Sequence, residues 1–245
     1  MKHGVKLETL SWVEAERCFA ANPLVVMPLG AAAKEHGPHL PLNNDAIIAG
    51  WLAEQLCRLR PLVIAPLINA SYYPAFVEYP GSISLRAETA RDVIVDSVNS
   101  LARFGLTRFY VLNTGLSTLG PLAAAKSLLG DKLVFEYLVI DKALHTLPPG
   151  LLVQGYGSHA DEAETSLMLH IAPEVVDMSL AVDDGAEGEG RLTRQPGAGI
   201  WSPSGVYGQA TLASADKGRR IAEHLVNHCL QSIDACGATA LYRGE

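Results

Sequence analysis

The chain has 245 residues, of which 49% are hydrophobic and 18% are charged. This length and balance fit one large globular domain with a substantial buried core. The 19 Lys and Arg residues stand against 26 Asp and Glu residues, giving a formal net charge of −7. We therefore expect no nucleic-acid partner, because neutralising phosphates requires a basic surface.

The sequence carries no signal for secretion or for insertion into a membrane. Its N-terminal segment lacks the apolar core of a signal peptide, and no apolar run is long enough to span a bilayer. The four cysteines are widely scattered without a CxxC pair, which is typical of thiols in a reducing compartment. These features predict a cytoplasmic protein with no membrane partner.

Short apolar runs alternate with helical patterns along the chain. The apolar runs predict strands over residues 24–28, 62–68, 108–112 and 134–140. The helical spacing of apolar residues predicts helices over residues 45–59, 88–104, 163–171 and 215–233. Such alternation predicts a single α/β domain over residues 1–245, with a mostly parallel sheet and helices on both faces. Residues 182–199, rich in Gly and acidic side chains, are predicted to form a mobile surface loop.

The densest group of polar side chains follows the first predicted strand. Lys34, Glu35, His36, His39 and Asp45 fall within twelve residues, between an apolar strand and an apolar helix. Ligands of parallel sheets bind outside the carboxyl ends of the strands, so this segment is a candidate active site. Carboxylates and imidazoles together are suitable ligands for zinc or manganese. The alternative is a polar turn in which Asp45 only helps to cap the helix.

Two further polar segments follow later strands or precede helices. Asn113 and Ser117 are placed to donate to a substrate oxygen, or alternatively to cap the next helix. His159 precedes a predicted helix and is a candidate general acid or base near neutral pH. Glu164, five residues further on, is placed to reach a metal ion.

Four segments of the chain resemble the creatininase (creatinine amidohydrolase) family. They occur in the family's order between about residues 20 and 235, and they read PLGAAAKEHGPHLPLNND, EYPGSISL, GSHADEAETSLMLHIAPEVVDM and SGVYGQATLASADKGRRI. The resemblance implies an α/β fold around a parallel sheet and a divalent metal centre that hydrolyses a cyclic or small amide. It also implies a small-molecule substrate and a homo-oligomer, which we expect to be a hexamer built from dimers.

The resemblance assigns roles to individual residues. His159 corresponds to the histidine that transfers a proton to the leaving nitrogen. The expected metal ligands are Glu35, His36, Asp45 and Glu164. The candidate substrate-binding residues are Asn113, Ser117, Tyr72 and Glu78.

Two positions depart from the family pattern. Lys34 stands where the family has its first glutamate, and Gly115 stands where it has a ligand histidine. We therefore expect at most one zinc or manganese ion per chain, and we name Lys34 as a candidate catalytic residue whose ammonium could replace a cation. Creatinine itself is not the expected substrate.

Three functional hypotheses follow. The leading one is a metal-dependent hydrolase of a small cyclic amide, formamide or lactone. The second is a family member with a degraded metal site that does different work, either as a hydrolase using one ion or as an enzyme in which Lys34 and His159 perform metal-free acid/base chemistry. The third is a non-catalytic subunit for ligand binding or assembly.

Overall fold

Five parallel strands form the central sheet. The computed structural model describes residues 3–241, with side chains up to Cys236. The strands are β1 (Val5–Lys6), β2 (Val25–Leu29), β3 (Val63–Ile64), β4 (Arg108–Asn113) and β5 (Val134–Tyr137). They pair in the order β1-β3-β2-β4-β5, and every pair is parallel. The predicted parallel sheet is confirmed.

Helices cover both faces of this sheet. They are α1 (Trp12–Phe19), α2 (Asn44–Leu59), α3 (Ala87–Ala102), α4 (Leu119–Leu129), α5 (Ile140–His145), α6 (Glu162–Ile171) and α7 (Ala215–Leu241). Side chains of β2 alternate between the two faces, as the strand pleat requires. Val26 joins a core cluster with α2, α6 and α7, whereas Val25 and Met27 join one with α1, α3 and α4. In the described part of the chain, no helix is both long and apolar enough to cross a bilayer.

The register of β2 and β4 fixes the place where the polar loops meet. Leu29 at the end of β2 lies opposite Asn113 at the end of β4. The loops that follow these strands therefore leave the sheet side by side, at its carboxyl edge. Both strands are almost wholly buried, because helices pack against each face.

Two predicted strands are longer than the observed ones. β3 ends at Ile64, and Pro66, which lacks a backbone N–H, follows it within the predicted run. Beyond β3, the Ala65 N–H donates to the Val26 oxygen of β2, and the chain meets the end of β2 again at a bridge between Leu29 and Ile68. β5 ends at Tyr137, and residue 140 of that predicted strand already begins α5.

Residues 182–199, predicted to be a mobile surface loop, contain two short strands that pair with later parts of the chain. The chain here forms β6 (Asp183–Asp184) and β7 (Leu192–Thr193), followed by β8 (Ile200–Trp201) and β9 (Gly208–Gln209). β6 pairs antiparallel with β9, and β7 pairs parallel with β8. Leu192 is buried in a small core cluster with Tyr79 and Ile200. The residues between β6 and β7 and between β7 and β8 are mostly exposed, and so are Asp183 in β6 and Trp201 in β8.

Candidate active site

The loop after β2 and the start of α2 pack tightly against each other. A Cβ atom on Gly30 would lie 2.3 Å from the backbone oxygen of Asp45, so glycine is needed for this close approach. Thr114, directly after β4, donates its hydroxyl to the same oxygen at 3.3 Å. These contacts fix the first turn of α2, and with it the Asp45 side chain, at the carboxyl edge of the sheet.

Asp45 is buried between two nitrogen-bearing side chains. The Lys34 Nζ lies 2.7 Å from Asp45 Oδ2, and the His36 Nε2 lies 2.9 Å from Asp45 Oδ1. Burial alone would raise the pKa of Asp45, but the charge of Lys34 and the contact with His36 outweigh it. Together they hold the pKa of this carboxyl well below its usual range. Asp45 is therefore an ionised carboxylate with a partner on each oxygen.

His159 lies between two carboxylates, just ahead of α6. Its Nε2 is 2.9 Å from the backbone oxygen of Glu35 and 3.3 Å from Glu35 Oε2, and its Nδ1 is 3.7 Å from Glu164 Oε2. The Phe76 ring packs on the imidazole, with 4.5 Å between ring centroids. Burial would lower the pKa of His159, but the hydrogen bond and charge of Glu35 outweigh it and raise that pKa.

Glu35 is held in place from the opposite side as well. Its side chain accepts a hydrogen bond from the backbone N–H of Gly37 and lies directly against Gly205. Burial would raise the pKa of Glu35, whereas the hydrogen bond and charge of His159 lower it, and the net shift is downward. Glu35 is thus an ionised partner that orients the His159 ring.

His39, the remaining imidazole of the polar loop, pairs with a hydroxyl of α6. Its Nε2 lies 2.8 Å from the Thr165 hydroxyl, and burial lowers its pKa to about 4. A buried neutral imidazole on a hydroxyl of α6 has a structural role, so only part of the polar loop faces the site.

A cavity of about 490 Å³ opens beside His159. Its polar wall includes Lys34, Ser117, His159 and Glu164, and its apolar wall includes Phe76, Leu144, Leu192 and Ile200. The cavity therefore combines charged groups with an apolar lining suited to a small organic molecule.

Of the four predicted substrate-binding residues, only Ser117 lines this cavity. Asn113 is fully buried and uses its amide within the turn, donating to the Gly115 oxygen at 2.7 Å and accepting from the Gly115 N–H. Glu78 accepts hydrogen bonds from the Thr193 hydroxyl and the Arg194 N–H, and so anchors residues around β7. Tyr72 is also absent from the cavity wall. The structure does not bring Asn113, Glu78 and Tyr72 to the site.

Two aromatic residues contribute to the site without having been predicted. Phe76 and Tyr73 lie around the Lys34 ammonium, with 4.8 Å and 5.6 Å between Nζ and the ring centroids. Both come from residues 65–86, a segment with almost no regular structure. Their sequence positions give no periodic signal, and only the tertiary fold brings them to Lys34.

The sequence profile of the creatinine amidohydrolase family matches residues 8–233. The chain belongs to this family. The mycofactocin precursor peptide peptidase of Mycobacterium ulcerans (strain Agy99) is 29% identical, with 86% of this chain and 84% of the relative covered. The 3-dehydro-scyllo-inosose hydrolase of Thermotoga maritima is 26% identical, with 92% and 81% covered. The chain is thus a creatininase-family hydrolase, and its named relatives act on different substrates.

Solved creatininase structures share the fold of this chain. A creatininase mutant in complex with creatine matches with a TM-score of 0.78 and 23% identity, covering 94% of this chain and 97% of that one. A mutant in its Zn-Zn form matches with a TM-score of 0.74 and 24% identity, over the same shares of the two chains. A manganese creatininase matches with a TM-score of 0.71 and 23% identity, again over 94% and 97%. Creatininases with this fold therefore exist in zinc and manganese forms.

The described residues of this creatininase-family chain include one group of His, Cys, Asp and Glu side chains that could hold an ion. It consists of His36, His159 and Glu164, whose donor atoms all lie within 4.8 Å of one another. His36 and Glu164 were predicted as ligands, whereas His159 was predicted only as a proton-transfer group. The other predicted ligands are paired within the site, Glu35 with His159 and Asp45 with Lys34. Both ring nitrogens of His36 also lie near oxygens, with Nδ1 2.8 Å from the Lys34 carbonyl oxygen and Nε2 2.9 Å from Asp45 Oδ1.

The donor set fits one divalent ion and does not fit two. Three protein donors can hold one catalytic ion with a position left for water. A second ion would need further donors, but Gly115 offers no side chain, and Lys34 places an ammonium on Asp45. Among the residues that the structure describes, the site therefore offers one group of three donors for a metal ion.

Proposed function

We propose that this protein hydrolyses a small cyclic amide, formamide or lactone in the cavity beside His159. The observation that carries the proposal is the placement of His159 at the cavity wall, between the carboxylates of Glu35 and Glu164. An imidazole held in this way can give up a proton at one end while a carboxylate stabilises its charged form. The family relationship supports hydrolysis as the reaction class.

In this proposal His159 delivers the proton to the leaving nitrogen or oxygen. Glu35 fixes the ring by accepting at Nε2, and its charge favours the protonated imidazole. The Nδ1 edge faces Glu164, whose Oε2 also accepts the Ala160 N–H at 2.6 Å. Glu164 is thus fixed beside the ring. Its carboxylate can take a proton from the water whose oxygen bonds to the acyl carbon, and can pass that proton to His159 to replace the one given to the leaving atom.

We further propose at most one bound zinc or manganese ion per chain. His36 and Glu164 would hold it, with one His36 ring nitrogen giving up its present oxygen partner. An ion that also took a His159 nitrogen would remove the lone pair needed for proton transfer. When bound, such an ion supplies Lewis acidity toward a carbonyl oxygen and toward water. Two protein donors bind weakly, so this ion should be removable by a chelator.

The histidine provides the direct test of this function. His159→Ala should lower turnover by about 10²–10⁴-fold on any amide, formamide or lactone that the wild-type protein hydrolyses, because the proton donor is lost. Turnover of such a substrate panel, metal content and thermal unfolding would be measured on both proteins. Unchanged metal content and stability with lost turnover support proton transfer. Loss of the ion together with activity would make His159 a ligand, and no turnover by the wild type would contradict the proposal.

A second candidate is hydrolysis without any metal ion, which the ion pair of Lys34 with Asp45 favours. Here the Lys34 ammonium at the cavity wall would supply the positive charge for a substrate oxygen, and His159 would move the proton. Turnover that persists in full after chelation distinguishes this candidate from the single-ion hydrolase.

A further inference from the structure

The Lys34 ammonium occupies a site built to hold a cation. The residue is only 4% exposed, and its Nζ lies 2.7 Å from Asp45 Oδ2. Phe76 and Tyr73 present their rings to the same nitrogen. The faces of aromatic rings carry partial negative charge and attract cations, and a buried carboxylate attracts them more strongly. The Lys34 side chain thus occupies a position that is formed by a carboxylate and two aromatic rings and is suited to a cation.

This arrangement closes the Asp45 side of the site to a divalent ion. Both Asp45 oxygens already have partners, one in Lys34 and one in His36. An ion on the Lys34 side would have to displace the ammonium or lie beside it, where like charges repel in a poorly solvated environment. Gly115 has no side chain to offer a donor there, and its Cβ position lies 3.3 Å from Thr118 Oγ1 and 3.7 Å from Tyr73 Cε1.

We propose that Lys34 is a built-in cation that takes the place of a second metal ion and permanently neutralises Asp45. His36 then separates two positions of different kinds. On one side lies the fixed ammonium, and on the other lies the exchangeable ion position toward His159 and Glu164. Lys34 also lines the cavity, so its charge acts on whatever binds there. The number of bound ions and the pairing of Lys34 with Asp45 can both be measured without a substrate.

The first test converts the ammonium into a metal donor. Lys34→Glu places a second carboxylate next to Asp45 and His36, which should create a new ion position. We expect the variant to retain one more equivalent of Zn²⁺ per chain than the wild type after equilibrium dialysis, as measured by elemental analysis. We also expect added Zn²⁺ to raise its Tm more than that of the wild type. Lys34→Met, with similar volume and no donor, is the control and should gain no equivalent.

Two results of this experiment would overturn the inference. One is an equal zinc count in the wild type and in Lys34→Glu. The other is two equivalents that survive dialysis in the wild type, because both positions would then accept an ion despite Lys34. Neither result depends on hydrolysis, so this inference and the proposed function can fail separately.

The second test measures how much the Lys34 ammonium stabilises the protein by neutralising the buried Asp45 carboxylate. A chelator is present so that no bound ion contributes. Lys34→Met should lower the Tm by roughly 6–20 °C, because it leaves the Asp45 carboxylate buried without its cation. Asp45→Asn should also lower the Tm, and the double variant should lose much less than the sum of the two. If Lys34→Met does not fold whereas the double variant does, the interaction between Lys34 and Asp45 is strong enough to decide whether the protein folds. Additive losses would contradict the inference, as would failure of the double variant together with Lys34→Met.

Discussion

Glu35 depends on a glycine that touches its carboxylate. Gly205 has φ of +88°, and a Cβ atom there would lie 2.0 Å from Glu35 Oε1. Gly205→Ala should therefore push Glu35 away from His159. The pKa of His159, which Glu35 raises, should fall in the variant. The change is measured by following the histidine ring signals by NMR across a pH titration, and turnover should drop by about tenfold or more as the ring loses its orientation.

Gly105→Ala is the matched control for this prediction. Gly105 has the same φ of +88°, but no atom lies within 4 Å of its Cβ position. Both variants carry the backbone cost of a side chain at positive φ, on the order of 1–2 kcal/mol. Only Gly205→Ala should alter the titration of His159. An equal effect of the two substitutions would show that the contact with Glu35 does not matter.

Many residues of the site could be predicted because they come from one short segment of the chain. Glu35, His36 and Asp45 were recognised from residue type and spacing after a buried strand, and the structure places all three at the carboxyl edge. What the spacing could not reveal is which partner each side chain takes. Asp45 pairs with Lys34, and Glu35 pairs with His159 from 124 residues away. Such pairings follow from tertiary packing, and the local sequence does not indicate them.

At the scale of whole elements, α6 and α7 meet through a glycine. A Cβ atom on Gly218 in α7 would lie 1.8 Å from the backbone oxygen of Ser166 in α6. Gly218→Ala should therefore force the two helices apart, disturbing the helix that carries Glu164. We expect a loss of stability of about 2–4 kcal/mol, in the range of severe overpacking, measured by denaturant unfolding.

The control is the same substitution in an open part of a helix. Gly50 lies inside α2, is exposed, and has no atom within 4 Å of its Cβ position. Gly50→Ala should stabilise the protein by up to about 1 kcal/mol, since alanine is the better helix former. A Gly218→Ala variant as stable as Gly50→Ala would contradict the close packing of α6 on α7.

The elements that could be predicted are those with a strong local pattern. β2 and β4 are continuous apolar runs, and α2, α3, α6 and α7 have helical spacing, so each was located to within a few residues, except for the C-terminal end of α7. β1 consists of two residues, Val5–Lys6, one of them exposed at the sheet edge. A pair that short carries no periodicity, and it becomes a strand only by bonding to β3. The short strands around residues 182–209 were missed for the same reason.

On the scale of the whole molecule, one layer of helices leaves large apolar side chains in solvent. Trp12 in α1, Phe104 just after α3 and Leu128 in α4 are 77%, 63% and 61% exposed. These helices form the layer that packs on Val25 and Met27. Among the described residues these are the three most exposed large apolar side chains, and exposed apolar groups of this kind are typical of surfaces that become buried on association. They agree with the expectation of a homo-oligomer, which stays a prediction.

We predict that the protein in solution is a homo-oligomer, a hexamer built from dimers, and that this helix layer contributes to its interfaces. Sedimentation velocity at micromolar concentration should give a single species near six times the chain mass of 26.1 kDa. Trp12→Glu should shift the distribution toward smaller species, because a charge at the centre of an apolar contact must be desolvated on association. Val153→Glu is the control, since Val153 is also exposed, at 58%, but lies next to Gln154 at the cavity wall. A wild type that sediments as a monomer would refute assembly, and equal effects of the two substitutions would refute the placement of the interface on this layer.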